Sequence, residues 1–166
     1  MKMLDLRVAV DRRHFNFYND MQQAGAITEF HVLFFAAACV GFRKERRKPP
    51  TQRQDKFWSR TFTAEEWACL YCMALAHFDG QFNRIQDDKV VIELMEEFAT
   101  GGLDYMVESM LSEYLLSNSS SEPRLDTSAI AELPRALVYE LWDMSEAPFT
   151  AYSDTKFDVS MKRSRT

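Results

Sequence analysis

The sequence predicts an all-α fold: a compact single-domain bundle of about five helices, with a basic loop after a buried first core helix. Three observations predict it. The run from Thr28 to Phe42 has no polar face, later stretches repeat apolar residues at helical spacing behind recognisable start signals, and no convincing pair of strands appears.

Arg7-Val8-Ala9-Val10 alternates like a strand, but a lone strand needs a partner and none is evident. In the run EFHVLFFAAACVGF, Phe30, Val32, Leu33, Phe34, Phe35, Val40 and Phe42 leave no polar side, which marks a buried helix. Thr28 serves as its expected N-cap, three alanines favour it, and Gly41 lies near its end, so a central core helix is placed over about residues 28–42. Pro49-Pro50 cannot continue that helix, and Thr51-Gln52-Arg53-Gln54 is polar, which predicts an exposed loop. Thr63-Ala64-Glu65-Glu66 is a capping box, where the threonine hydroxyl and the glutamate three residues on satisfy each other's amides. Trp67, Leu70, Tyr71, Ala74 and Phe78 then recur at helical spacing, and Asp79-Gly80 ends the second helix.

Asp87-Asp88 suits the first turn of a third helix, with Val91, Leu94, Met95 and Phe98 on one face and Glu93, Glu96 and Glu97 on the other. Gly101-Gly102 is expected to stop it in the left-handed region. Leu103, Met106, Val107, Met110, Leu111, Tyr114 and Leu115 form a fourth amphipathic helix ending at Ser117-Asn118-Ser119-Ser120-Ser121. A fifth begins near Pro134 and carries Leu137, Val138, Leu141 and Trp142. The helical domain is assigned to residues 1–144, and residues 145–166, which lack any period, to an extended or mobile tail.

Composition supports one domain. The 166 residues are 46% hydrophobic and 27% charged with only 5 Gly and 5 Pro, which excludes a linker, a fibre or a chain disordered throughout. A chain of this length hides roughly 70% of the surface its unfolded form exposes, so the core needs neither metal nor disulfide. No stretch reaches the ~20 apolar residues that span a bilayer, and MKMLDLRVAVDRR has no apolar leader segment. With three cysteines, an odd number, the expectation is a cytoplasmic protein in a reducing compartment.

The net charge of −5 conceals a separation along the chain. Residues 43–60 carry eight cations against Glu45 and Asp55, a local +6, whereas residues 61–155 carry −14. A field of one sign concentrates ligands of the other within about a Debye length, ~8 Å. Arg43, Lys44, Arg46, Arg47 and Lys48, extended by Arg53, Lys56 and Arg60, therefore form a candidate surface for DNA or for an acidic partner; the plainer reading is that they neutralise the molecule's own acidic helices. Phe57, Trp58 and Phe62 interleave with these cations, and Trp58 joins the candidate set as a base-stacking group, unless the aromatics turn inward as anchors.

Signals for catalysis are weak. His14, His31 and His77 lie far apart with no two-ligand spacing, and His31 falls inside the apolar helix as a core histidine. No G-x-S-x-G elbow, Walker loop or G-x-G-x-x-G fingerprint occurs. Cys69 and Cys72 have C-x-x-C spacing, but only Cys39 and His77 remain to complete a zinc site, so they read as packing thiols. Glu93, Glu96 and Glu97 could hold Mg²⁺ in a nuclease, though glutamates on an amphipathic helix usually face water.

FFAAACVGFRKERRKPP (Phe34 to Pro50) and, some fifty residues on, ELMEEFATGGLDYM (Glu93 to Met106) resemble a family of small proteins associated with bacterial DNA phosphorothioation loci, the DNA phosphorothioation-associated protein 4 family. The shared features are an apolar helix running into a glycine-aromatic-basic step and an E-x-(aromatic)-A-x-G-G-L junction, over about half the chain. Arg12-Arg13-His14 to Tyr18 is a weaker match, and the second helix and the tail after about residue 116 match poorly. The resemblance implies an accessory part in an anti-phage DNA-modification or restriction system, and it transfers no catalytic residues.

The sequence thus leads to a non-enzymatic binding subunit, without cofactor, metal or small-molecule substrate, that contacts DNA or a larger subunit of a defence complex through its basic segment. Two alternatives stand beside it. One is a protein-only adaptor or DNA mimic that uses the acidic helices; the other is a metal-dependent nuclease subunit.

Overall fold

The structure, a computed structural model, describes residues 5–116 and 122–126, with Ser128, Leu133, Arg135 and Val138 beyond them. The alternating stretch near the amino terminus does find a partner, and it lies within the basic segment. Strand β1 (Arg7–Asp11) pairs antiparallel with β2 (Arg53–Trp58), in the register Arg7 to Trp58, Val8 to Phe57, Ala9 to Asp55, Val10 to Gln54 and Asp11 to Arg53. A bulge between Val8 and Ala9 leaves Lys56 as the extra residue of β2. The fold is therefore mixed rather than all-α: among the described residues, this two-stranded sheet joins α1 (Phe15–Gln23), α2 (Phe30–Arg43), α3 (Ala64–His77) and α4 (Asp88–Tyr105).

The segment 53–58, expected as loop, carries no strand signature because it is an edge strand with only Phe57 committed to the core. Its neighbour β1 is the buried member, with Val8, Ala9 and Val10 all enclosed. The outer amide of β1 at Ala9 donates to Glu96 Oε1 of α4 at 2.8 Å. A side chain thus takes the place of a third strand on that edge.

Helix α2 matches the expected core helix, although it starts at Phe30 with Glu29 in the capping position. It is not enclosed on every side, since Val32 is 40% exposed. Helix α1 was not expected; Phe17, Tyr18 and Met21 give it one buried face. For α3 the capping box forms as read, with the Thr63 amide donating to Glu66 Oε2 at 2.8 Å and the Glu66 amide to Thr63 Oγ1 at 3.2 Å. Asp79 and Gly80, both at positive φ, end it.

The largest revision concerns Gly101-Gly102. They do not stop a helix: α4 runs through them to Tyr105, followed by a π turn at Met106–Met110 and a 3-10 turn at Ser112–Tyr114, so the separate fourth helix is not present. The pair lies instead where α4 crosses α2. A Cβ on Gly102 would sit 1.8 Å from the Ala37 carbonyl oxygen, and one on Gly41 would sit 2.0 Å from that of Phe98. Only glycine permits helix backbones to approach this closely. The residue that turns the chain out of α2 is Glu45, at φ 54, so Gly41 is not the stop there either.

Around this crossing the core gathers Phe34, Phe57, Phe62 and Trp67 in successive edge-on and tilted ring contacts with centroids 5.4–5.9 Å apart. The expected fifth helix, its preceding serine loop and the tail from residue 145 lie, apart from isolated positions, outside the described residues. Among the described residues no helix is long and apolar enough to cross a membrane.

Candidate contact surface

After Arg43 the chain forms a strap, residues 44–52, that lies across α4. Backbone groups hold it: the Arg46 amide donates to the Gly41 carbonyl at 2.8 Å and the Lys48 amide to the Glu97 carbonyl at 3.0 Å. The Arg46 carbonyl rests over Gly101, where a Cβ would be 2.2 Å away. At its far end the Thr51 amide donates to Asp11 Oδ2 at 2.8 Å, and the Gln52 carbonyl accepts from the Arg12 amide at 2.9 Å. The basic residues are thus carried on a fixed backbone.

Their side chains face the acidic side of α4 and its extension. Arg46 lies 3.8 Å from Glu108, Arg47 2.9 Å from Glu97, and Lys48 2.8 Å from Asp104. Lys44 and Arg46 both lie over the Tyr105 ring, at 5.2 and 5.7 Å. Arg47 also donates through Nη1 to His77 Nε2 at 2.8 Å. His77 accepts there as the neutral ring; burial, reinforced by Arg47, depresses its pKa. About half of each of the Arg46, Arg47 and Lys48 side chains stays exposed, so these pairs sit at the water boundary, where each contributes little net stability.

The remaining sequence-chosen cations are dispersed along β2 and the turn after it. Arg53 forms a two-pronged pair with Glu96, Nε to Oε2 and Nη2 to Oε1 both at 3.0 Å. That glutamate is 2% exposed, not on a solvated face as expected. Burial raises its pKa, opposed by the Ala9 amide and by Arg53. Arg60 reaches Asp5 at 3.0 Å. Lys56 has no carboxylate beside it among the described residues: its Nζ donates to Asn19 Oδ1 at 2.6 Å and lies over the rings of Phe15 and Phe30, at 3.6 and 4.1 Å. Loss of hydration brings its pKa down to about 8. Of the two neighbouring aromatics, Phe57 turns inward, while Trp58 stays 37% exposed with Arg7 over its ring at 4.5 Å and Arg60 at 5.4 Å.

Beneath the strap lies a polar centre that sequence reasoning did not find. His14 Nε2 meets Asp104 Oδ1 at 2.8 Å, and Arg13 Nη2 bridges Asp104 and Asp11 at 3.4 Å each. Burial works against the Asp104 charge, but hydrogen bonds from His14 and Lys48 and the field of Arg13 outweigh it and hold the carboxyl far below its usual range. Asp11 is lowered in the same way: burial opposes its charge, and the Arg13 and Thr51 amides overcome it. Both Asp11 and His14 are at most 2% exposed, so they serve the interior. Asp11 and Asp104 come from β1 and α4, far apart in sequence, which is why no local motif announces them.

Glu93, Glu96 and Glu97 do not converge: they pair with Lys89, Arg53 and Arg47 respectively. Among the described residues no group of three His, Cys, Asp or Glu side chains is placed to hold a metal ion. The thiols of Cys39, Cys69 and Cys72 are free; burial pushes Cys39 up to about 12, and Cys72 is exposed. His31 packs edge-on against Phe62 between Glu29 and Glu66. The stretches Phe34 to Pro50 and Glu93 to Met106 are the two sides of the α2–α4 crossing with its strap. Their glycines therefore have a packing role that needs no ligand. Comparison of the chain with protein-family models, curated proteins and solved structures finds no match.

Proposed function

We propose that this chain acts by binding rather than by catalysis, as an accessory subunit that docks on a larger protein through the face formed by the strap and Tyr105. The observation that carries this reading is the pairing of strap and helix. Arg46, Arg47 and Lys48 each meet a carboxylate of α4 or the turn after it, and Lys44 and Arg46 cover an aromatic ring. Such a face mixes both signs on a rigid backbone, offers paired charges to a partner of mixed charge, and attracts a uniform polyanion only weakly. The resemblance would make the partner a component of a bacterial DNA-modification or restriction system.

The test is co-purification from the native host with and without nuclease treatment, comparing wild type with Arg46→Glu/Arg47→Glu. The expected result is one larger protein that stays bound after nuclease and is lost from the double variant. A complex that disappears on nuclease treatment would transfer support to direct DNA contact, the second reading, which the half-exposed state of these side chains favours.

A further inference from the structure

At the far end of the strap, a groove of about 450 Å³ opens between the start of α1 and the start of β2. Its walls are Arg12, Phe15, Asn16, Gln52, Arg53 and Gln54, with Glu122 at one side. The volume falls in the range of small-molecule sites, roughly 300–1,000 Å³. The lining chemistry differs from that of Arg46, Arg47 and Lys48, because three of its six polar side chains, those of Arg12, Gln52 and Gln54, are left unused by the protein among the described residues. Arg12 is exposed and makes no ion pair among the described residues, although its amide is fixed to the Gln52 carbonyl at 2.9 Å. Arg53 is oriented from behind by its two-pronged contact with buried Glu96, which engages Nε and Nη2 and leaves the Nη1 donors open. The carboxamides of Gln52 and Gln54 have no partner among the described residues. Asn16 donates to Glu122 at 3.2 Å.

We propose that this groove binds a nucleotide, free or as one residue of a single strand, with Arg12 and Arg53 on the phosphate and the carboxamides of Gln52 and Gln54 on the base edge. Arg12 has its whole guanidinium fork open to a phosphate, and Arg53, locked in orientation by Glu96, adds its Nη1 donors. A carboxamide both donates and accepts, as base edges require, and Phe15, which carries Lys56 over one face of its ring, adds apolar surface to the groove. Glu122 opposes a second anion and would accept from an exocyclic amine, which favours a nucleotide over a bare polyphosphate. This inference is independent of protein docking through the strap and stands or falls separately.

Calorimetric titration with deoxynucleoside 5′-monophosphates, inorganic phosphate and a short fluorescein-labelled single strand tests it on the full chain. The expected result is saturable binding of the nucleotide or the strand, weakened at least about tenfold by Arg12→Glu and several-fold by Gln54→Ala, with unchanged thermal melting. Tighter binding of the strand than of the monophosphate would identify the groove as a single-strand site, and equal binding a free-nucleotide site. Inorganic phosphate binding as tightly as any nucleotide would overturn the proposal, as would absence of saturation up to about 1 mM, or affinity unaltered by both substitutions.

Discussion

Asp104 joins the strap to the rest of the molecule through one carboxylate. It receives Lys48 from the strap, His14 from the turn before α1 and Arg13 beside it, and only 14% of its side chain is exposed. Asp104→Asn keeps the shape and removes the charge, leaving three donors around a weaker acceptor. Breaking a fully buried pair from one side costs about 3–5 kcal/mol; here Lys48 and Arg13 can turn toward water, so a loss of about 2 kcal/mol at neutral pH is expected in denaturant unfolding. The pH dependence has a definite sign. Because folding lowers the Asp104 pKa from its ordinary 3.8, its contribution is complete above that value and declines as pH falls below it. The stability gap between wild type and Asp104→Asn should therefore start to narrow below about pH 4 and shrink progressively as acid is added. Glu96 has the opposite sign, since its pKa is raised, and it gains rather than loses as acid is added. A gap between the two proteins that keeps its full neutral-pH size at about pH 2 would show that the charge of Asp104 is not what stabilises the fold.

At the scale of elements, the crossing of α2 and α4 decides what the glycines do. In the interior of an exposed helix, replacing glycine by alanine stabilises by about 1 kcal/mol through backbone entropy. At Gly102 the new Cβ would overlap the Ala37 carbonyl at 1.8 Å, and backbone cannot swing aside as a flexible side chain would. Overpacking of this kind costs about 1–3 kcal/mol or more, so the clash prevails and Gly102→Ala should lower the melting temperature, whereas Gly80→Ala, with nothing near its Cβ, should lower it only through its positive φ. What was legible in the sequence follows the same division between local and distant causes. The α3 capping box, the Asp87 start of α4 and the buried side of α2 were readable because their causes lie within a few residues. Gly101-Gly102 misled because a left-handed stop and a close crossing ask for the same residue, and only the opposing backbone tells them apart. Strand β2 escaped because its pairing with β1 spans more than forty residues, and an edge strand needs no alternation when one side chain in six is buried. The exposed cations of the candidate surface were legible as cations. Their carboxylate partners were not, since which faces of α4 the strap meets depends on that crossing.

At the scale of the whole molecule, the basic segment's separation from acidic groups along the sequence largely disappears in space among the described residues. A segment of +6 is folded onto a region of opposite sign, and Arg46, Arg47, Lys48, Arg53 and Arg60 each end beside a carboxylate. This has a measurable consequence for DNA. Were five cations free to neutralise five phosphates, log affinity for a duplex would fall against log salt with a slope of about −4 to −5. Each cation already paired must give up its carboxylate to take a phosphate, and the displaced carboxylate then faces the backbone and repels it. Fewer counterions are released in such an exchange. The expected slope for wild type is about −1 to −2, measured by fluorescence polarisation of a labelled duplex over a salt series. Removing the carboxylates instead of the cations is the informative change: Glu97→Gln with Glu108→Gln leaves Arg46 and Arg47 uncompensated, and should both tighten duplex binding and steepen its slope. A wild-type slope near −4, unaltered by those two substitutions, would mean that the strap abandons α4 when DNA arrives, and the docking face would then have to be sought in the nucleic-acid complex.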